Sequence, residues 1–327
     1  MERRRFVVAV GGALALPVLS HAQLPPSKHI GLLVQGSYAS RGHLDRALIE
    51  ALREQGYVEG RNLVIERRYA DGGGSPRLRE FARELEAMKL DAVVTTCTPS
   101  TRAMKDQTST TPIIMAVVSD PVGQGFIASY AKPGRNITGT SSQFEDILPK
   151  MIEYFAAVLP RRATVAVLAD RRNTLHVRQW EQVLKVGAAL QFAMRRYDIG
   201  GAGEIESSID AAVKEGAGAL FVLPDHPLFL DERARIVAAA SKHRLPAFYW
   251  AREFVEEGGL MSYGENIAGG WARASGYVRR IMLGASPAEL PVAQPTTFEL
   301  VINLKTAQAL GLAIPSELLL RADRVIE

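Results

Sequence analysis

The residues able to engage a small molecule gather in a few short polar loops. Thr98-Pro99-Ser100-Thr101 sets three hydroxyls around a proline of the kind that opens a helix. Capping needs one side-chain oxygen, so the further hydroxyls and the free backbone N–H groups of a helix start are available to one anionic group, such as a carboxylate. Similar loops are Gly36-Ser37-Tyr38, Ser119-Asp120-Pro121, Asp170-Arg171-Arg172-Asn173 and Pro224-Asp225-His226. Asp225 is placed to receive a ligand amine, although a turn acid ahead of Pro227 has the same appearance. Tyr38, Tyr249, Trp250 and Tyr263 stand near expected strand ends, where a ring either stacks on a ligand or fills core. The candidate binding residues are therefore Ser37, Tyr38, Thr98, Ser100, Thr101, Asp120, Asn173, Asp225, Tyr249 and Tyr263.

No comparable pattern points to catalysis. The chain has no G-x-S-x-G elbow, and its histidines (His21, His29, His43, His176, His226 and His243) include no H-x-x-x-H pair. Neither a catalytic residue, a metal nor a cofactor is expected. Gly123-Gln124-Gly125-Phe126-Ile127-Ala128 matches G-x-G-x-x-A, with Glu145 twenty residues past Gly125. A dinucleotide fingerprint joins strand to helix tightly, whereas here Ser119-Asp120-Pro121-Val122 intervenes. Cys97 is the single cysteine, so no intrachain disulfide forms; it ends an apolar run and is expected as a buried, inert strand thiol.

The elements that must position these loops alternate along the chain. Short apolar strands are expected near 30–34, 63–69, 91–96 and 112–118, separated by amphipathic helices. One helix carries the stripe Leu44, Ala47, Leu48, Ala51 and Leu52; another buries Leu78, Phe81, Ala82, Leu85 and Met88 behind Ser75 and Pro76. A second block repeats the plan, with strands at 164–169, 192–197, 219–223 and 247–250. Alternation of this kind implies βαβ units, and uninterrupted apolar strands imply parallel sheets covered on both faces. The expected fold class is α/β, with two doubly wound parallel-sheet lobes joined by a multi-strand hinge. Lobe 1 would span 28–140 with a return of 264–290, lobe 2 would span 141–263, and a tail at 291–327 would brace lobes and hinge. Ligands of such sheets bind beyond the carboxyl ends of the strands, where the polar loops fall.

Bulk properties narrow the functional classes. The 327 residues are 47% hydrophobic and 23% charged, with a net charge of +4. Arg3, Arg4 and Arg5 against Glu2 account for half of that charge, and the remaining cations are interspersed with acids, which argues against a nucleic-acid partner. Three arginines, an apolar stretch at 6–19 and Ser20-His21-Ala22 before Gln23 have the order of a cleaved export signal, 1–22. The stretch falls short of the roughly 20 residues a membrane span needs. No cysteine follows the cleavage point for a lipid anchor. The expectation is a soluble, monomeric periplasmic protein with no membrane span after cleavage.

Several segments resemble one family across nearly the whole mature chain. They are Gly56-Tyr57-Val58-Glu59-Gly60-Arg61-Asn62, Ser119-Asp120-Pro121-Val122-Gly123, Lys132-Pro133-Gly134-Arg135-Asn136-Ile137-Thr138-Gly139 and Gly258-Gly259-Leu260-Met261-Ser262-Tyr263-Gly264. The ending, from Leu290-Pro291-Val292 through Phe298-Glu299-Leu300-Val301-Ile302-Asn303-Leu304-Lys305 to Arg321-Ala322-Asp323-Arg324-Val325-Ile326-Glu327, is similar as well. The family is the ABC transporter substrate-binding proteins of the tryptophan-binding type. The resemblance implies a type I periplasmic-binding fold with three crossovers between lobes, serving an ABC permease and its ATPase. It further implies an amino acid or aromatic carboxylate as ligand, held at Thr98–Thr101 with Asp120 alongside. The chain departs from the family at Cys97, where a small residue is usual, and at Asp170-Arg171-Arg172-Asn173, whose two arginines would favour a more acidic solute. The alternatives are a ligand-sensing module for a signalling partner, an exported enzyme, and a ligand-responsive transcription regulator, which would need a helix-turn-helix where this chain has its export signal.

Overall fold

Every residue of the run Ile-Ile-Met-Ala-Val-Val at 113–118 is buried, so this strand needs cover on both faces. The computed structural model describes residues 27–71, 74–224 and 227–327 and supplies that cover. The export segment read at 1–22 and the candidate Asp225 lie outside the described residues.

The first block runs β1 (Lys28–Val34), α1 (Tyr38–Glu54), β2 (Leu63–Tyr69), α2 (Gly74–Ala87), β3 (Ala92–Thr95), α3 (Thr98–Lys105), β4 (Ile113–Val118) and β5 (Ile137–Ser141). Its strands form a wholly parallel sheet in the order β2-β1-β3-β4-β5. The second block continues with α4 (Phe144–Ala156), β6 (Thr164–Asp170), α5 (Leu175–Ala189), β7 (Ala193–Ile199), α6 (Ile205–Lys214) and β8 (Ala219–Val222). It ends with α7 (Pro227–Asp231), α8 (Arg233–Lys242), β9 (Ala247–Tyr249), α9 (Arg252–Glu256) and β10 (Met261–Glu265). The chain is thus α/β with two parallel-sheet lobes.

The remaining chain divides itself between the lobes. α10 (Ile267–Met282) packs along α1 and over β4, burying Trp271, Ala274, Tyr277 and Val278. The segment after it runs beside β5, where the Ala293 N–H donates to the Gly139 carbonyl at 3.0 Å. The Tyr277 hydroxyl fixes that segment by donating to the Pro291 carbonyl at 2.7 Å. The chain then enters the other sheet as β11 (Phe298–Asn303), followed by α11 (Leu304–Ala309), α12 (Ser316–Leu320) and β12 (Arg324–Ile326). The second sheet reads β12-β11-β10-β9-β8-β6-β7, with β11 antiparallel to β10. Sequence patterning alone had this end of the chain as a brace. The structure makes much of it sheet, because Leu300, Val301 and Ile302 bury completely against β10 and the helices beneath.

The chain passes between the lobes three times: after β5, after β10 and before β11. One apolar core runs through all of them, from Ile30, Leu48 and Trp271 in the first lobe to Phe155, Phe221 and Phe248 in the second. A smaller core under α2 and α3 serves the other face of the first sheet. At the first crossing Gly139 has φ +131°, and a Cβ there would stand 2.2 Å from the Met115 carbonyl oxygen. Glycine is the residue that lets β5 lie this close to β4.

Candidate functional site

Where strand order reverses, adjacent loops leave in opposite directions and open a crevice. In the first sheet this happens between β1 and β3, and in the second between β6 and β8. The loops beyond β1, β3 and β6, with Pro227 past β8, border the gap between the lobes. Two adjoining cavities occupy it. The outer one, of 200 Å³, is walled by Thr98, Pro99 and Arg102 from one lobe and by Asn173, Thr174 and Leu175 from the other. The inner one, of 30 Å³, is enclosed by Arg41, Val117, Phe144, Leu230, Trp250 and Trp271. Cys97 and Pro227 line both.

The first turn of α3 determines which hydroxyls reach the cleft. Ser100 is fully buried; its Oγ accepts from the Thr96 N–H at 3.0 Å and donates to the Cys97 carbonyl at 3.0 Å. The Thr101 hydroxyl donates to the same carbonyl at 2.9 Å and meets the Thr95 hydroxyl at 2.7 Å. Both side chains curl back over the turn: Ser100 accepts from the backbone N–H groups of Thr96 and Cys97, and Thr101 adds a second bond to a carbonyl that its own N–H already engages. Ser100 and Thr101, read from sequence as ligand donors, are thereby occupied in holding the loop. The Thr98 Oγ1 atom remains, buried on the cleft wall with no hydrogen-bond partner among the described residues. Cys97, expected within the strand, is instead the residue preceding α3, and its sulfur lies 3.6 Å from the Gln35 amide oxygen.

The second lobe presents the start of α5. Asn173 lines the outer cavity while its side-chain oxygen accepts from the Leu175 N–H at 3.0 Å. The starts of α3 and α5 thus border one cavity, each bringing the positive end of a helix dipole. The neighbouring arginines are committed elsewhere. Arg172 binds the fully buried Asp170 through two nitrogens, at 3.0 and 2.6 Å, and Arg171 pairs with Glu204. The pull toward an acidic solute read from these arginines is offset within the lobe itself.

Deeper in, the Trp250 indole N–H is buried without a partner among the described residues, and its ring meets Phe144 edge-on at 5.0 Å. A buried N–H left unpaired costs free energy that a ligand acceptor would recover. Beside it, Val117 has φ +61°. A β-branched residue in that region is strained, and such strain concentrates at binding sites. The Val117 N–H is held by the Thr140 hydroxyl at 3.0 Å.

Ionic contacts close the cleft at two edges. Asp231 of α7 accepts from the Ser40 hydroxyl at 2.7 Å and from Arg41 Nε at 2.8 Å, while Arg41 Nη2 reaches the Pro227 carbonyl at 2.8 Å. Gly36 permits this contact: it has φ +109°, and a Cβ there would lie 2.7 Å from Asp231 Oδ1. At the other edge Asp120 bonds Arg178 of α5 and accepts from the Gly123 N–H at 2.9 Å. The Arg178 guanidinium is held further toward its charged form by that bond. Nearby, burial raises the Glu145 carboxyl above its ordinary range, against the opposing pull of Arg178. Asp120, expected beside a ligand, is bonded here to Arg178 of the other lobe.

The other candidates fall away from the cleft walls. Ser37 caps α1, accepting from the Ser40 N–H at 3.1 Å. Tyr38 is exposed and packs edge-on against Tyr69, with ring centroids 5.7 Å apart. Tyr249 is buried on the α8 side of its sheet, stacked on Phe254 at 4.7 Å, and Tyr263 packs against Tyr154 and Phe298. Alternation of side chains along β9 and β10 sends both rings away from the cavity, leaving Trp250, just past β9, to enter it. Sequence reasoning passed over Arg41, Phe144 and Trp271. Each opens or nearly opens an amphipathic helix and looks there like ordinary helix surface or core.

Comparison with known proteins places this geometry. The family model for ABC transporter substrate binding proteins matches residues 29–326. A tyrosine-binding protein of Clostridioides difficile is 26% identical over 289 residues, covering 87% of this chain and 81% of the relative. Among solved structures, an ABC domain from Streptococcus pneumonia in complex with L-Trp superposes with a TM-score of 0.84 at 25% identity, covering 92% of this chain and 100% of that one. A substrate-binding protein with adhesive properties from Clostridium difficile, in a ligand-free, open structure, superposes at 0.64 with 24% identity, covering 91% and 99%.

Proposed function

Because the chain belongs to the ABC transporter substrate-binding protein family, we propose that it is an exported receptor whose lobes close on an aromatic amino acid or related carboxylate for an ABC importer. The observation that carries this reading is the pair of buried, unpartnered donors between the lobes, Thr98 Oγ1 and Trp250 Nε1, in a cleft bordered by two helix starts. Helix starts favour a carboxylate, and the aromatic wall of Phe144, Trp250 and Trp271 favours a flat apolar side chain. The neighbouring proteins support the same class, one being named for tyrosine and another holding L-Trp. Residues 1–22 support a periplasmic address, and the family supports a permease as partner. Among the described residues no helix is long and apolar enough to cross a membrane. Binding needs no catalytic group: the ligand favours closure by its greater affinity for the closed lobes.

Titration calorimetry against L-tyrosine, L-tryptophan, L-phenylalanine and a panel of aliphatic and acidic amino acids tests the ligand class. Binding confined to the aromatic members is expected. Preference for glutamate or aspartate, or no heat with any member, would refute it. Fractionation of cells by osmotic shock tests the address, with the mature chain expected to start at Gln23 in the released fraction.

A further inference from the structure

A third cavity, of 410 Å³, lies at the opposite end of the second lobe and shares no wall with the cleft. The cleft opens beyond the carboxyl ends of the parallel strands. This pocket opens at their amino ends, between the last turn of α8 and α11. Its walls are apolar where they come from Ala240, Leu245 and Leu310, and its mouth carries two cations, Arg244 and Lys305. Both are exposed, and neither side chain has an anionic partner among the described residues. Thr306 anchors α11 to the pocket wall by donating to the Gly258 carbonyl at 2.8 Å.

Tyr249 also lines this pocket. The residue is fully buried, its ring edge lies against Gly259 on the pocket wall, and its hydroxyl has no hydrogen-bond partner among the described residues. A buried hydroxyl without a partner is costly, and native proteins keep few of them. Burial raises this hydroxyl's pKa well above the usual tyrosine range, so it stays a donor at any physiological pH.

We propose that this pocket is a second ligand site, taking a small organic carboxylate with an apolar body. The carboxylate sits between Arg244 and Lys305, and the body lies along the apolar wall. The volume falls within the range of small-molecule sites. All lining residues belong to the second lobe, so opening or closing the cleft leaves the site intact. Occupancy should therefore be indifferent to the state of the lobes.

The probe is 4-bromobenzoate. In soaked crystals its bromine should give an anomalous peak between α8 and α11, and calorimetry should register one class of binding that persists unchanged in Arg41→Ala, which disturbs the cleft alone. The double variant Arg244→Glu/Lys305→Glu alters only exposed side chains and should weaken that binding roughly tenfold or more. Bromine found solely in the inter-lobe cleft, no bromine at all, or unaltered affinity in the double variant would each overturn the proposal.

Discussion

Thr98 and Ser100 stand two residues apart on one helical turn, and their hydroxyls have opposite duties. The Ser100 hydroxyl is spent on the loop backbone, whereas that of Thr98 is left at the cleft wall. Ser100→Ala should therefore cost about 1–3 kcal/mol of stability, read from the urea midpoint. Thr98→Val should leave the midpoint nearly unchanged and weaken binding of the aromatic ligand by about tenfold. If Ser100→Ala lowers affinity at constant stability, the division of roles is wrong. His176 gives a second test at this scale. Its ring is buried and stacked on Phe229; Nδ1 accepts from the Asp170 N–H at 2.8 Å, so Nε2 donates to the Pro224 carbonyl at 3.1 Å. Burial, the dominant cause, lowers its pKa from 6.5 to about 4. The folded protein then binds fewer protons than the unfolded chain between those values. The resulting stability is fully present above pH 6.5 and is lost as pH falls through about 4. At about 1.4 kcal/mol per unit the whole effect is about 3 kcal/mol. Chemical denaturation across this range should show a steeper loss in wild type than in His176→Gln; equal slopes would show that the imidazole is not the group responsible.

At the scale of elements, the crossing between the lobes depends on how closely β5 approaches β4. Gly139→Ala would force a methyl group against the Met115 carbonyl in a conformation that side chains disfavour. A loss of about 3 kcal/mol or more is expected, with a matching drop in thermal midpoint. A near-neutral result would mean that the strands separate without penalty. The βαβ order itself was readable, because strands such as Ile113–Val118 are apolar throughout while helices such as α1 are striped. The antiparallel β11 was not readable as sheet. Phe298–Asn303 has strand-like composition, but nothing local says which of two lobes it joins, and that choice is made by burial against β10.

For the whole molecule, the two lobes are tied by contacts whose partners lie far apart in sequence. Arg41 and Asp231 are separated by 190 residues, and Asp120 and Arg178 by 58. Removing Arg41 breaks two of the bonds at one edge and should shift the lobes toward the open form by about 1–3 kcal/mol, roughly five- to 150-fold in population. Small-angle scattering of Arg41→Ala without ligand should give a larger radius of gyration than wild type, and ligand affinity should fall in parallel. An unchanged radius would assign closure to other contacts. Gly36→Ala should act in the same direction, since its methyl group would displace Asp231 from Ser40 and Arg41.

What the sequence determined by itself is everything that rests on local period and composition: alternating strands and helices, two largely parallel sheets, polar loops at strand ends and the pattern of an export signal. These follow from side-chain spacing along a strand or helix, which any one segment displays alone. Only the tertiary structure decided which polar groups are already engaged. Thr98, Ser100 and Thr101 are interchangeable as hydroxyls in the sequence, and the curl of one helical turn separates them. Asp120 reads as a ligand contact until Arg178 arrives from the other lobe, and Arg172 reads as a free cation until Asp170 is found to hold it. Whether a polar group is spent or available depends on partners the chain brings in from a distance, and burial makes that difference count.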